Sequence, residues 1–208
     1  MIKKFCLVGV DGDFEDFIKK YRKFYLGYFS SKKGRKYKSV SKKIGSENLS
    51  SWLPLKEKYN PNVFITIDNG KEKESLIKKI YKNNSSNLIF KEAFIEKSTL
   101  KNIKKRKGII IQKFSKISSN VNINDGVKIH INCQIHHDTK IDKYVTIAPA
   151  CVILGNVKIG KYSYIGANTT IKQNIKIGNN CIIGAGSTVI SDVKNNQRVA
   201  GRPAKKIN

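Results

Sequence analysis

IQKFSK-ISSNVN-INDGVK-IHINCQ-IHHDTK-IDKYVT-IAPACV-ILGNVK-IGKYSY-IGANTT-IKQNIK-IGNNCI-IGAGST, residues 111–188, divides into hexads headed by isoleucine without one insertion. The heads run from Ile111 through Ile117, Ile123, Ile129, Ile135, Ile141, Ile147, Ile153, Ile159, Ile165, Ile171 and Ile177 to Ile183, and Val189 takes the next place. Six fits neither a helix of 3.6 residues per turn nor a simply alternating strand; it is the period of a parallel β-helix whose hexads each make one short strand and one corner. The fourth residue after each head is small or β-branched, as in Ser115, Val121, Val127, Cys133, Thr139, Val145 and Cys151, which suits a second, tighter inward place. Three hexads close a triangular coil, so residues 18 apart are expected to stack at about 4.8 Å, the spacing of paired strands. Gly160, Gly166, Gly178 and Gly184 each follow an inward isoleucine, where a missing side chain relieves crowding or permits positive φ.

Working outward, the whole chain of 208 residues is long enough for two small domains. The expected boundary lies at Gly108: residues 1–107 form one domain, with 93–107 as connector, and residues 108–208 the other. In the first domain, Lys4 to Val10 reads as a strand, and Phe14, Phe17, Ile18, Tyr21, Phe24 and Tyr25 recur at helical spacing after it. A β-rich run at 25–30, a lysine- and serine-rich irregular stretch, a strand at 63–67, a helix around Leu76, Ile77 and Ile80, and a strand at 88–90 follow. Such alternation predicts a small α/β unit with a parallel sheet.

Composition excludes several functions. No apolar run approaches the ~20 residues of a membrane span, and the N-terminus leads straight into a strand, which predicts a soluble cytoplasmic protein. The net charge of +26 divides as +16 over residues 1–107 and +10 over 108–208. Only five of the 41 basic residues are arginine, no recognition motif appears, and the aromatics sit in apolar runs, so nucleic acid is not the expected partner. The charge instead favours polyanionic ligands. Cys133, Cys151 and Cys181 occupy the small inward place, and without metal-ligand spacing they read as buried small hydrophobes in a reducing compartment.

All three histidines, His130, His136 and His137, fall within eight residues. His137, two places after inward Ile135 and near a corner, is positioned to reach outward, with Asp138 beside it to hold the imidazole tautomer. His130 and His136 each follow an inward isoleucine on successive faces and read as surface or interface residues. No further histidine lies beyond 137 to build a shared zinc site, so no metal is expected.

With Ile135-His136-His137-Asp138-Thr139, Val145-Thr146-Ile147-Ala148-Pro149-Ala150, Gly155-Asn156-Val157-Lys158-Ile159-Gly160 and the tail Gly201-Arg202-Pro203-Ala204-Lys205, the C-terminal half resembles the hexapeptide-repeat acyltransferases. Within them it is similar to the sialic acid O-acetyltransferase and nucleotide-amino-sugar N-acetyltransferase branch. The resemblance implies a left-handed β-helix after a Rossmann-like acceptor domain, a homotrimer, and acetyl-CoA as co-substrate for a sugar amine or hydroxyl in surface-glycan synthesis. It implies His137 as general base, Asp138 as its partner, and coenzyme A along a groove between prisms at Thr146, Gly155, Ala167 and Ala185. The family's first turn, roughly Gly-x-x-Gly-His-Gly, corresponds to Gly9-Val10-Asp11-Gly12-Asp13-Phe14, so Asp11, Gly12 and Asp13 are the candidate acceptor contacts. Asp68 joins them, because Ile67-Asp68-Asn69 stands where the family has Ile-Gly-Asn. Two alternatives stay open: transfer to a non-sugar acceptor, and a trimeric scaffold without catalysis.

Overall fold

Consecutive apolar residues in a short strand call for burial on both faces, the condition of a parallel sheet. That is what Phe5, Cys6 and Leu7, and again Val63, Phe64 and Ile65, find in the computed structural model, which describes residues 5–8, 18–19, 22–29, 43–45, 62–80, 87–89 and 92–207. The chain divides into two compact units, residues 1–67 with 75–86, and residues 68–74 with 87–208. In the first, β1 (Phe5–Val8), β2 (Tyr25–Phe29), β3 (Lys43–Gly45) and β4 (Asn62–Ile65) form a wholly parallel sheet in the order β3-β2-β1-β4. The ring of Phe5 meets Tyr25 and Phe64 at centroid distances of 5.3 and 6.0 Å. β3 falls in the stretch expected to be irregular. Asp11, Gly12 and Asp13 lie outside the described residues.

The second unit realises the hexad register. From Ile110–Ile111 to Thr188–Val189 each strand is two residues long, ends on the head of a hexad and pairs in parallel with strands 18 residues away, for instance Ile129 with Ile147 and Ile135 with Ile153. Three sheets result, parallel except where Ala204–Lys206 pairs antiparallel with Arg198–Gly201, and every head from Ile111 to Val189 is buried. The strand Leu88–Ile89, expected in the α/β sheet, instead pairs with Ile110–Ile111, and Phe94–Ile95 pairs with Lys116–Ile117. The segment 93–107 therefore does more than connect. Its helix Lys97–Ile103 inserts Ile103 into the end of the core, and the Thr99 hydroxyl donates to Ser118 O at 2.8 Å while accepting from Val121 N at 3.0 Å. A prism of short strands would otherwise leave its apolar end open, and the compact unit accordingly includes residues 87–107.

Corners and core explain the rest of each hexad. The third residue after the head takes positive φ from Phe114 at 58° through Asn120 at 55°, Asp138 at 58° and Asn168 at 56° to Gly186 at 68°, as does Gly108 at 68°, three residues before the first head. Asn, Asp and Gly bear this conformation at least cost. The glycines directly after a head serve closeness instead: a Cβ at Gly166 would lie 2.5 Å from Ala185 N, and none of the four has positive φ. The small inward residue also has a task that size alone does not reveal. Ser115 Oγ, Cys133 Sγ, Cys151 Sγ and Ser163 Oγ donate to the carbonyls of His130, Ala148, Gly166 and Gly178, fifteen residues on, at 2.8, 3.1, 3.1 and 2.8 Å. Hydroxyl or thiol at this place thus satisfies a corner carbonyl from within the core. Ile147→Ala, which empties one rung, is expected to cost about 2–5 kcal/mol of stability in urea unfolding, the range for large-to-small core changes.

Candidate active site

His137 and Asp138 form the corner between the strands Gln134–Ile135 and Lys140–Ile141. Because Asp138 takes φ 58°, its carboxylate turns back on its neighbour, and His137 Nδ1 donates to Oδ2 at 2.7 Å. That bond fixes the tautomer, leaving Nε2 as the acceptor that a base requires. The hydrogen bond from His137 holds the Asp138 carboxyl below its ordinary range, so it stays ionised at neutral pH. Both side chains are more than half exposed, at 61 and 53%. One coil on, Gly155 makes room for the ring: a Cβ there would lie 2.8 Å from both Cε1 and Nε2 of His137. His136 is half-buried.

The other expected cofactor contacts lie elsewhere on the prism. Ala167 and Ala185 stack on the corner before Thr170–Ile171 and Thr188–Val189, where Gly186 N donates to Ala167 O at 2.7 Å. Thr146 is buried on a third face, its hydroxyl donating to Asp68 O at 3.1 Å and accepting from Lys73 Nζ at 3.0 Å. Of the expected site residues, His137, Asp138 and Gly155 thus share one corner, Ala167 and Ala185 another, and Thr146 meets Asp68.

Asp68 belongs to a second polar cluster. Asn69 Oδ1 caps the helix Gly70–Ile80 by accepting from Lys71 N and Glu72 N at 3.1 Å each, which directs the preceding carboxylate toward the prism. There Lys128 Nζ lies 3.0 Å and His130 Nε2 3.4 Å from Asp68 Oδ1. Burial alone would raise this carboxyl, but hydrogen bonds from His130 and Lys128 and their charges hold it well below the usual carboxylate range. His130, which reads in the sequence as a surface or interface residue, is buried, with Asp68 against its ring. Lys73 and Lys128 are each about 1% exposed, a placement that lysine-rich composition does not announce.

Burial pushes the Lys73 ammonium down to about 7, with the charge of Lys128 acting the same way and Asp68 opposing. An unfolded lysine keeps its proton up to about pH 10. Between the two values the unfolded chain binds more protons, so stability is expected to rise with pH from about 7 to about 10. Lys73→Met should flatten that rise in urea titrations across the window, whereas an unchanged slope would refute the assignment.

Residues 138–173 and 156–191 match the model of the bacterial transferase hexapeptide, six repeats. The hexads of residues 138–191 thus match this repeat. No curated protein matches the chain. Among solved structures, a mutant of perosamine N-acetyltransferase from Caulobacter crescentus, in complex with CoA and GDP-perosamine, matches with TM-score 0.84 at 20% identity, over 100% of this chain and 98% of that one. The acetyltransferase domain of PglB from Neisseria gonorrhoeae, in complex with acetyl coenzyme A, matches with TM-score 0.82 at 19% identity over 100% of both chains. WeeI from Acinetobacter baumannii matches with TM-score 0.76 at 21% identity, over 98% of this chain and 99% of that one. The hexapeptide-repeat chain thus shares its fold with these proteins along essentially their full length. Among the described residues, no group of three or more His, Cys, Asp or Glu gathers to hold a metal ion, and no helix is long and apolar enough to cross a membrane.

Proposed function

We propose that the protein transfers the acetyl group of acetyl-CoA to an amine or hydroxyl of a nucleotide-activated sugar or sialic acid in surface-glycan synthesis, with His137 as general base. The observation that carries this reading is the ordered His137-Asp138 pair with Gly155 clearing Nε2, on the fold of a sugar acetyltransferase crystallised with CoA and GDP-perosamine. In the step itself, His137 Nε2 takes the proton of the acceptor as its nitrogen or oxygen attacks the thioester carbonyl. The tetrahedral intermediate then expels the thiolate, which receives that proton from the imidazolium. Asp138 stabilises the imidazolium, and no covalent enzyme intermediate is needed because transfer between two bound substrates suffices.

A trimer belongs to the same reading. His137 and Gly155 stand on one corner of the prism and Ala167 and Ala185 on another, so a groove lined by both needs a second copy. Left-handed coiling, a Rossmann-like acceptor domain and cytoplasmic location complete it. The order β3-β2-β1-β4 supports the domain, being the first part of the doubly wound dinucleotide-binding order. Four free cysteines support a reducing compartment. Asp68, with Oδ2 uncommitted and nearly half its side chain exposed, and the turn Asp11, Gly12 and Asp13 are the acceptor contacts of this proposal.

Thiol release from acetyl-CoA, measured against a panel of GDP- and UDP-linked amino sugars, tests the function; sugar-dependent release supports it and its absence across the panel defeats it. Asp138→Asn should lower kcat less than loss of His137 does. A neutral amide no longer stabilises the imidazolium, so the acid limb of the pH–rate profile should move to lower pH. A limb that stays in place would remove Asp138 from the mechanism.

A further inference from the structure

The corner column that holds Asp138 carries an amide at each of its other three places, Asn120, Asn156 and Asn174, with φ of 55, 56 and 65° against 58° for Asp138. Asparagine thus satisfies the backbone of this column, and aspartate at one place adds only charge. Side chains in these columns link in one direction, from the amide of one coil to the oxygen of the next. Asn156 Nδ2 donates to Asn174 Oδ1 at 2.9 Å, and in another column Asn180 Nδ2 donates to Asn196 Oδ1 at 2.9 Å. Asn120 stands one coil before Asp138, where the same rule aims its Nδ2 at the carboxylate. The backbones are clamped there: Asp138 N donates to Ser119 O at 3.2 Å, and Asn120 N to Ser98 Oγ at 3.1 Å on the helix Lys97–Ile103.

We infer that Asn120 is a positioning residue of the acetyl transfer, its side-chain amide holding the carboxylate of Asp138 so that this in turn holds the His137 ring. The inference rests on the reading of His137 as base. After His137, Asn120 is among the groups that hold the Asp138 carboxyl below its ordinary range. His137 is the one charged or ionisable group that acts on Asp138 among the described residues. With the acceptor capacity of Asp138 shared between one amide and one imidazole, the ring is held from both sides of the carboxylate. An exposed aspartate at a corner would otherwise rotate freely, and with it the base.

Two substitutions leave the corner intact. Asn120→Gly deletes the amide at a conformation that Gly108, Gly126 and Gly186 adopt at equivalent corners, with φ of 68, 69 and 68°. Asn120→Asp keeps the shape, as Asp138 itself shows one coil on, but sets a second carboxylate against the first. The test measures kcat, KM for both substrates and the pH–rate profile of each variant, together with an NMR titration of the histidine rings in the free enzyme, assigned from His130→Ala, His136→Ala and His137→Ala. Asn120→Gly is expected to lower kcat roughly fivefold to tenfold with KM unchanged, less than loss of the base itself. Asn120→Asp is expected to move both the acid limb and the His137 titration midpoint upward by roughly half a unit. A His137 midpoint equal to that of the wild type in Asn120→Asp, with wild-type kcat in Asn120→Gly, overturns the inference. Because the titration needs no substrate, it decides the coupling even if the wild type transfers no acetyl group to any sugar, an outcome that would defeat the proposed function instead.

Discussion

His137→Ala is expected to lower kcat by roughly 10² to 10⁴, the range for removing a general base, while thermal unfolding stays at the wild-type temperature. The side chain is 61% exposed and its one hydrogen-bond partner among the described residues is Asp138, so its removal opens no cavity and orphans no buried group. His136→Ala supplies the control. It removes the same kind of ring one residue away, from a face that does not meet the Asp138 carboxylate, and is expected to leave kcat within about twofold of wild type. Steady-state kinetics on the two variants decide between them. A crippling His136→Ala beside a silent His137→Ala would transfer the base to the other residue.

Gly155→Ala is expected to approach the same loss without touching a reacting group. The added methyl would lie 2.8 Å from Cε1 and Nε2 of His137, closer than such contacts occur, and the exposed ring is the part free to move. Displacing a base by about 1 Å is enough to cost roughly 10²-fold in rate. The backbone bonds of this corner, Asn156 N to His137 O at 2.9 Å and Asn174 N to Gly155 O at 3.0 Å, do not involve the new methyl. Stability should therefore hold while kcat falls, and wild-type kcat in Gly155→Ala would show that Nε2 does not work from the place it occupies here.

The β-helix was legible because its period is imposed by covalent spacing: a head at each sixth residue has one geometric solution. The corner rule was also present in the sequence, as Asn, Asp or Gly at the third place after many heads, although the glycines after the heads drew attention first. What lies before Ile110 was harder to read. Leu88–Ile89, Phe94–Ile95 and the helix that closes the prism stand outside the register, and nothing local says that they belong to it. His137 and Asp138 stand out in the sequence by their adjacency, whereas Gly155 enters only through the resemblance, as a coenzyme A contact, and its place against the His137 ring is seen in the structure. The cluster of Asp68, Lys73, Lys128, His130 and Thr146 spans separations of about 60 to 80 residues with no periodicity to expose it. Its lysines look in sequence like solvated charges. Thr146, expected beside coenzyme A, hydrogen-bonds within this cluster.

The measurement closest to the central claim is single-turnover transfer of label from [¹⁴C]acetyl-CoA into a nucleotide-linked amino sugar, with wild type and His137→Ala side by side and both at equal enzyme concentration. The account predicts label in the sugar and none on the wild-type protein, with the rate reduced roughly 10² to 10⁴-fold in His137→Ala. Label retained on the protein, or equal rates in the two enzymes, would contradict it.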